Sequence, residues 1–369
     1  MPSVLHVSET LLGGVGSVVT DLVQAEVEAG WSVSIAAPAD AATTELVEMS
    51  GGQAHYWSPP PRPGASLPRE LHNLRRAVAA VAPDLLHLHS SMAGMCGRLV
   101  VRRRIPTLFQ PHSWSFFAVQ QPVSSAALAW ERWAARWADL VLCVSEDERE
   151  HANAAHVRGR ITVVPNGVDL QRFERADDSA RELARASLGL GPEPLALLPG
   201  RLHRQKGQSR LLDAWPEVLA VVPDARLVLA GEGPDRQALA ARELPGVRLV
   251  GQVADIRPWL AAADVVVMPS TWEGMSLALL EARASSRSVV VTDVPGMREV
   301  VVPGTGAVVP LGDARALADA VSRRLADPRL TKSEGTAARA DVERRHDLSV
   351  QRARVLELSA MLAKRPRRD

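Results

Sequence analysis

Short apolar runs rich in β-branched residues recur along the chain, and the segments between them carry helical patterns. In the N-terminal half these runs are VLHVS, VSIAAP, LLHLHS, TLFQP, LVLCVS and ITVVPN; in the C-terminal half they are LALLPG, RLVLAGEG, RLVGQV, VVVMPS, SVVVTDV and GAVVPL. Runs of this kind, separated by helices, predict parallel strands in βα units. Two sets of about six strands predict two doubly wound α/β sheets, each covered by helices on both faces. The spacer between the sets, LQRFERADDSARELARASLGLGPEP, is charged and helix-forming, ends in Gly-Pro punctuation, and reads as an interdomain connection. The predicted division is 1–180, 181–345 and a C-terminal segment 346–369 that holds the last helix, SVQRARVLELSAMLA, and a basic tail. Two similar domains facing one another predict a ligand cleft between them.

Composition narrows the class. A chain of 369 residues is too long for one ordinary core and suits two domains. Its 43 Lys and Arg against 42 Asp and Glu leave no electrostatic footprint for nucleic acid, with only the tail KRPRRD as an exception. No apolar run is long enough to cross a bilayer, and no basic region precedes the first apolar stretch, so neither a membrane span nor a signal peptide is predicted. The expected location is the cytosol. Cys96 and Cys143 have no CxxC partner and read as small buried apolar residues. The Pro-rich stretch SPPPRPGASLP reads as a surface loop, with a docking segment for a proline-recognising domain as the alternative.

Four places carry candidate chemistry. In LLGGVGSVV, glycines 13, 14 and 16 let the backbone turn tightly after the first strand and bring N–H groups towards an anion. No GxGxxG fingerprint is present and no acidic residue ends the second strand, which disfavours a nicotinamide site; a plain strand-to-helix turn is the other reading. In PGRLHRQKGQ a strand ends in glycine and is followed by Arg201, Arg204 and Lys206 before a helix, an arrangement suited to a diphosphate or to a solvated basic loop. In WEGMSLALLEARA, a helix is predicted to begin after Gly274, so that the amides of Met275, Ser276 and Leu277 point out of the strand's carboxyl end. Glu273 precedes that helix, and Glu281 returns to within about 80° of the same side. Both carboxylates then line one elongated ligand; the alternative makes Glu273 an acid favoured by the helix dipole and Glu281 a surface residue. Finally, His87 and His89 share one face of their strand by the period-two rule, and His112 sits at another strand end. Hydrogen bonding from His112 to a ligand, a core role and metal ligation are the three options there.

Taken in order, GGVG, VSE at Val144 to Glu146, VVPNGVD at Val163 to Asp169, GRLHRQKG, LAGEGP, GQVADI and MPSTWEGMSLALLEA resemble the retaining glycosyltransferases of family 4, the glycosyl transferases group 1, which share the GT-B fold of two Rossmann-like domains facing across a cleft. The match covers nearly the whole chain at ordinary spacing. The resemblance implies an N-terminal acceptor-side domain, a C-terminal domain for a nucleotide-sugar donor, and a last helix that returns to the first domain. By the same resemblance Arg201 and Lys206 hold the donor diphosphate, Gly16 is the glycine whose N–H approaches that diphosphate, and Gly14 beside it is donor-binding too. Glu273 touches the donor sugar and Glu281 the ribose. The backbone around Val253 reads the base, the amides from Gly274 to Leu277 bind sugar or phosphate, and His112 lies near the anomeric carbon. It implies retention by front-face substitution, with no metal and no cofactor beyond the donor itself.

The resemblance leaves a sugar, lipid-linked or small-molecule acceptor open, and two other readings besides: a nucleotide-sugar epimerase on the same fold, or a catalytically silent sugar-nucleotide-binding subunit. One departure from the family pattern stands out. After Glu281 the family has a glycine and a proline where this chain has Ser286 and Ser288, which touches the geometry of the next turn. Trp130, Trp133 and Trp137 fall on one helix face. Core packing is the default expectation for them; the alternative is a bilayer-facing stripe that, with the basic tail, gives weak peripheral contact at the inner face of the membrane.

Overall fold

The computed structural model describes residues 1–59, 63–119 and 122–367. Residues 60–62 of the Pro-rich stretch and 368–369 of the tail lie outside the described residues. The chain divides into two compact units, one formed by Met1–Asn166 with Ser349–Asp369 and the other by Gly167–Leu348.

The first unit holds seven parallel strands: β1 Ser3–Ser8, β2 Ser32–Ala37, β3 Gln53–Tyr56, β4 Leu85–His89, β5 Thr107–Gln110, β6 Leu140–Cys143 and β7 Ile161–Val163, ordered β3-β2-β1-β4-β5-β6-β7. The second holds six: β8 Leu195–Pro199, β9 Arg226–Ala230, β10 Val247–Gly251, β11 Val265–Met268, β12 Ser288–Thr292 and β13 Ala307–Val309, ordered β10-β9-β8-β11-β12-β13. Every residue of β4, β5, β6, β8, β11 and β12 is buried, which is why these strands are continuous apolar runs rather than alternating ones. The strand absent from the sequence pattern is β3. It pairs only with β2 at the sheet edge, so QAHY needs no apolar run. In each sheet the order reverses once, between β1 and β4 and between β8 and β11. Sheets of this kind bind ligands outside the carboxyl ends of those strands.

Each unit has its own core, built around Leu5, Leu88, Phe109, Trp57 and Trp114 in the first and Leu198, Leu211, Trp215, Val267 and Val290 in the second. Cys96 and Cys143 are fully buried there, and burial pushes both thiols up, Cys96 to about 12.

The charged spacer is no simple connection. Its helix, Asp178–Leu188, belongs to the second unit, where buried Arg185 donates to the carbonyls of Ala262, Gly191 and Glu193 and pairs with Asp264 at 2.8 Å. The charge that suggested a linker is spent on a satisfied buried guanidinium. The final helix, Leu348–Ala363, buries Val355, Leu358 and Leu362 and ties itself to the first unit through Arg352 on Asp21 at 2.6 Å. Beyond it Arg365 reaches Asp139 at 3.2 Å, and Arg367 donates to the carbonyls of Ala82 and Pro83. The described part of the basic tail is therefore docked on its own unit.

Candidate active site

In the second unit the loops after β8 and β11 are joined by short contacts at the point where the strand order reverses. Gly207 makes this approach possible: its φ is 71°, and an added Cβ would lie 1.9 Å from the Pro269 carbonyl oxygen. The Thr271 amide donates to the Gln205 carbonyl at 2.7 Å, and the Gln205 side chain donates to the Trp272 carbonyl at 3.0 Å. Held this way, Lys206 Nζ lies 2.7 Å from Glu273 Oε1, and the same oxygen accepts from the Ser270 hydroxyl at 2.8 Å. The Glu273 side chain is 8% exposed and that of Lys206 20%, so the pair is shielded yet reachable. Arg201 stands exposed on the same loop as Lys206. His203 caps the short 3₁₀ turn Arg204–Lys206; burial, and then Arg201, lowers its pKa.

The helix of the WEGMSLALLEA segment starts later than the sequence suggests. It spans Leu277–Ala284 with Ser276 as its N-cap, and the Ser276 side chain makes no capping bond. The helix N-terminal amides therefore begin at Ser276, and Met275 lies ahead of them. Just ahead of it the Gly274 backbone lies against Gly296, so closely that a Cβ on Gly296 would come within 1.9 Å of the Gly274 oxygen. Glu281 is half-buried on the second turn, and Val253 half-buried on the loop after β10. At the helix end Ser286 takes a left-handed φ of 58°, the conformation its usual glycine would adopt freely. Ser288 opens β12 fully buried, and its hydroxyl joins the Arg324–Glu334 ion pair.

In the first unit the helix Gly13–Glu28 follows β1 with no side-chain cap and no acidic residue in its first turn. Gly14 is exposed at this open N-terminus. Gly16 is buried one turn in, where a Cβ would meet the Leu11 carbonyl oxygen at 1.8 Å. Glycine is thus required at 16 by packing. Glu9, at the end of β1, accepts from the Met92 amide at 3.3 Å, and burial raises its pKa.

His112 follows β5 with a left-handed φ of 57° and lies 3.1 Å, Nε2 to Nδ1, from His89. His89 is 3.0 Å from His6, and His6 is 2.6 Å from Glu26. His87 and His89 do share a strand face, with ring centroids 4.1 Å apart. Burial pushes His112 down to about 3 although one edge of the residue reaches solvent, and holds His87 and His89 well below the usual histidine range. His6, Glu26 and Glu9 carry no motif. The β1–β4 register, which sets His6 against His87, brings His6 to the group, and Glu26 joins it through His6.

Trp130, Trp133 and Trp137 touch one another, with Trp133 and Trp137 centroids 4.2 Å apart. Trp133 is 47% exposed with Arg136 lying 4.6 Å over its ring, while Trp130 and Trp137 are half-buried. No helix among the described residues is long and apolar enough to cross a membrane.

Comparison with known proteins agrees with this geometry. Residues 12–172 match the family model for Glycosyltransferase Family 4, and residues 193–327 match that for Glycosyl transferases group 1. The alpha-maltose-1-phosphate synthase of Mycolicibacterium smegmatis is 31% identical over 70% of this chain and 74% of its own. A GDP-mannose-dependent alpha-(1-6)-phosphatidylinositol monomannoside mannosyltransferase of the same organism is 34% identical over 68% of each. Among solved structures, Anabaena Alr3699/HepE in complex with UDP-glucose superposes with a TM-score of 0.84 at 21% identity, over 98% of this chain and all of that one. With both sheets of the GT-B fold in place and both family models matched in order, the chain belongs to glycosyltransferase family 4 and is a glycosyltransferase.

Proposed function

We propose that this enzyme moves a hexosyl group from a nucleoside-diphosphate sugar to an acceptor hydroxyl with retention at the anomeric carbon. The observation that carries the reading is the Lys206–Glu273 contact at the strand-order reversal of the second sheet, with exposed Arg201 on the same loop as Lys206 and the uncapped Leu277 helix following. Arg201 and Lys206 meet the diphosphate, whose charge grows as the bond to the sugar breaks. The amides at Ser276 and Leu277 and the open N-terminus at Gly14 add fixed dipoles of the same sign, so the leaving group is stabilised without a bound metal. Gly16 serves by holding that turn closed. Glu281 binds the ribose and the backbone at Val253 the base.

In the front-face step the bond from the anomeric carbon to the diphosphate oxygen breaks as the acceptor oxygen bonds to the same face, and the departing oxygen takes the acceptor's proton. Glu273 positions the sugar and stabilises positive charge on it, while neutral His112 hydrogen-bonds the sugar. The acceptor is a polysaccharide, lipid-linked or natural-product hydroxyl, met in the cytoplasm or at the inner face of the membrane. The exposed Trp133 and Arg136 favour such a surface contact.

The two relatives above differ in donor, one named for GDP-mannose and one solved with UDP-glucose, so the test begins with a panel of UDP, GDP and ADP sugars. A donor at a hundred times its Kd adds about 2.7 kcal/mol of stability, visible as a rise in Tm. With that donor, Glu273→Ala, Lys206→Ala and His112→Ala each remove most transfer while leaving Tm near wild type, and Glu281→Ala raises donor KM more than it lowers kcat. Full transfer by the first three, or a product of inverted anomeric configuration by NMR, overturns the reading.

A further inference from the structure

Behind His112 runs a single file of hydrogen-bonding groups: Glu26 Oε2 to His6 Nε2 at 2.6 Å, His6 Nδ1 to His89 Nε2 at 3.0 Å, and His89 Nδ1 to His112 Nε2 at 3.1 Å. Glu26, His6 and His89 are almost fully buried. The rings of His6 and His89 lie 13° from parallel with centroids 5.2 Å apart, and those of His89 and His112 lie 24° from parallel at 5.4 Å. With the facing nitrogens about 3 Å apart, these separations place each nitrogen pair nearly on the line joining its rings, the geometry of an N–H donating into a ring lone pair. Each imidazole uses its ε nitrogen towards Glu26 and its δ nitrogen towards His112. The file therefore has a direction.

A neutral imidazole carries one N–H, so the file admits two proton arrangements. In the first, a Glu26 carboxylate accepts from His6 Nε2–H, His6 Nδ1 accepts from His89 Nε2–H, and His89 Nδ1 accepts from His112 Nε2–H. His112 Nδ1 is then a bare lone pair. In the second, a Glu26 carboxyl donates to His6 Nε2, each Nδ1–H donates to the next Nε2, and His112 Nδ1 carries a hydrogen. The second differs from the first by one added proton: it enters at His112 Nδ1, the three imidazole hydrogens each shift by one position, and the carboxylate becomes a carboxyl. Neither arrangement contains a buried imidazolium, which suits His89 and His112, whose burial disfavours the charged form.

We propose that Glu26, His6 and His89 are positioning residues that fix the tautomer of His112, the ionised Glu26 selecting the Nδ1 lone pair at rest and receiving, through the file, any proton that Nδ1 takes up. The use of that lone pair, to accept from a hydroxyl of the bound sugar, rests on the placement of His112 proposed above; the file itself does not. His87 is the bystander. Its ring touches those of His6 and His89, but its polar neighbour is Gln110, and no hydrogen bond joins it to the file. The nitrogens of His6, His87 and His89 also lie within 4.8 Å of one another, close enough to suggest a metal. A shared ion would have to sit off the His6–His89 line, where neither lone pair points.

The experiment is nitrogen NMR on the ligand-free full chain labelled with ¹⁵N-histidine, His112 being assigned by its loss in His112→Gln. Protonated and bare ring nitrogens resonate far apart, so the tautomer is read directly. Wild type should show His112 with a bare Nδ1 and a protonated Nε2. Glu26→Gln, which can turn its amide N–H to His6, should give a mixture or the opposite tautomer at His112. His89→Phe, which keeps ring volume and cuts the file, should release His112 from any further effect of Glu26→Gln. A protonated Nδ1 in wild type, an unchanged His112 tautomer in folded Glu26→Gln, or a stoichiometric transition metal on the purified protein that His6→Phe removes would each overturn the proposal. A switch of tautomer in Glu26→Gln with full transfer retained by His112→Ala would uphold the file and overturn the catalytic placement of His112.

Discussion

Ser286 shows how one residue records a departure from its family. It holds a left-handed φ of 58° directly after the helix that carries Glu281, and its carbonyl oxygen lies so close to Gly335 that a Cβ there would come within 2.0 Å. A serine in this conformation is strained by about 1 kcal/mol or more. Ser286→Gly is therefore expected to stabilise the second unit by up to about 1 kcal/mol, a Tm rise of roughly 2–4 °C by calorimetry, with transfer unchanged; no rise or a fall would mean that the turn relaxes in solution. The departure was visible in the sequence, and so were Lys206 and Glu273. Their contact was not, because it depends on Gly207 letting one loop close on Pro269. The helix begins at Leu277 rather than directly after Gly274, so Met275 lies ahead of it, and the Gly274–Gly296 approach beside that start is a contact outside the local pattern.

Among the elements, β1 and β4 carry the least expected chemistry. Period two places His87 and His89 on one face, as the sequence indicates. That His6 joins them follows only from the parallel register His6↔His87. Their neutrality has a consequence for stability. A histidine whose folded pKa lies below its unfolded value near 6.5 binds its proton more readily when unfolded, so stability is complete above 6.5 and falls as pH drops below it. His87 and His89, both fully buried, should each cost about 1 kcal/mol per pH unit below 6.5. Urea midpoints taken between pH 7.5 and 5.5 should fall steadily below 6.5, and His87→Phe should flatten that slope by about one proton. A flat profile in wild type would contradict the buried neutral histidines. Strand β3 marks the opposite limit of sequence reading, since an edge strand with one neighbour needs little apolar character to be held.

At the scale of the whole molecule, the last helix belongs to the first unit although nearly two hundred residues separate them in the chain. Val355, Leu358 and Leu362 are buried, and at about 1.5–3 kcal/mol for each large apolar side chain the helix contributes several kcal/mol to that unit. A chain ending at Leu348 should lose hydrogen-exchange protection in β1, β4 and β5 while β8, β11 and β12 keep theirs; equal loss in both sheets would contradict the division. The sequence by itself determined the number of sheets, nearly every strand, the exits that carry Lys206 and Glu273, and the family, because continuous apolar runs and glycine-marked strand ends are local patterns. Only the tertiary structure decided that the charged spacer is part of the second unit, that Trp133 of the tryptophan stripe is exposed, and that Glu26, His6, His89 and His112 stand in one file. Those outcomes depend on strand order and register, which bring together residues that no spacing along the chain relates.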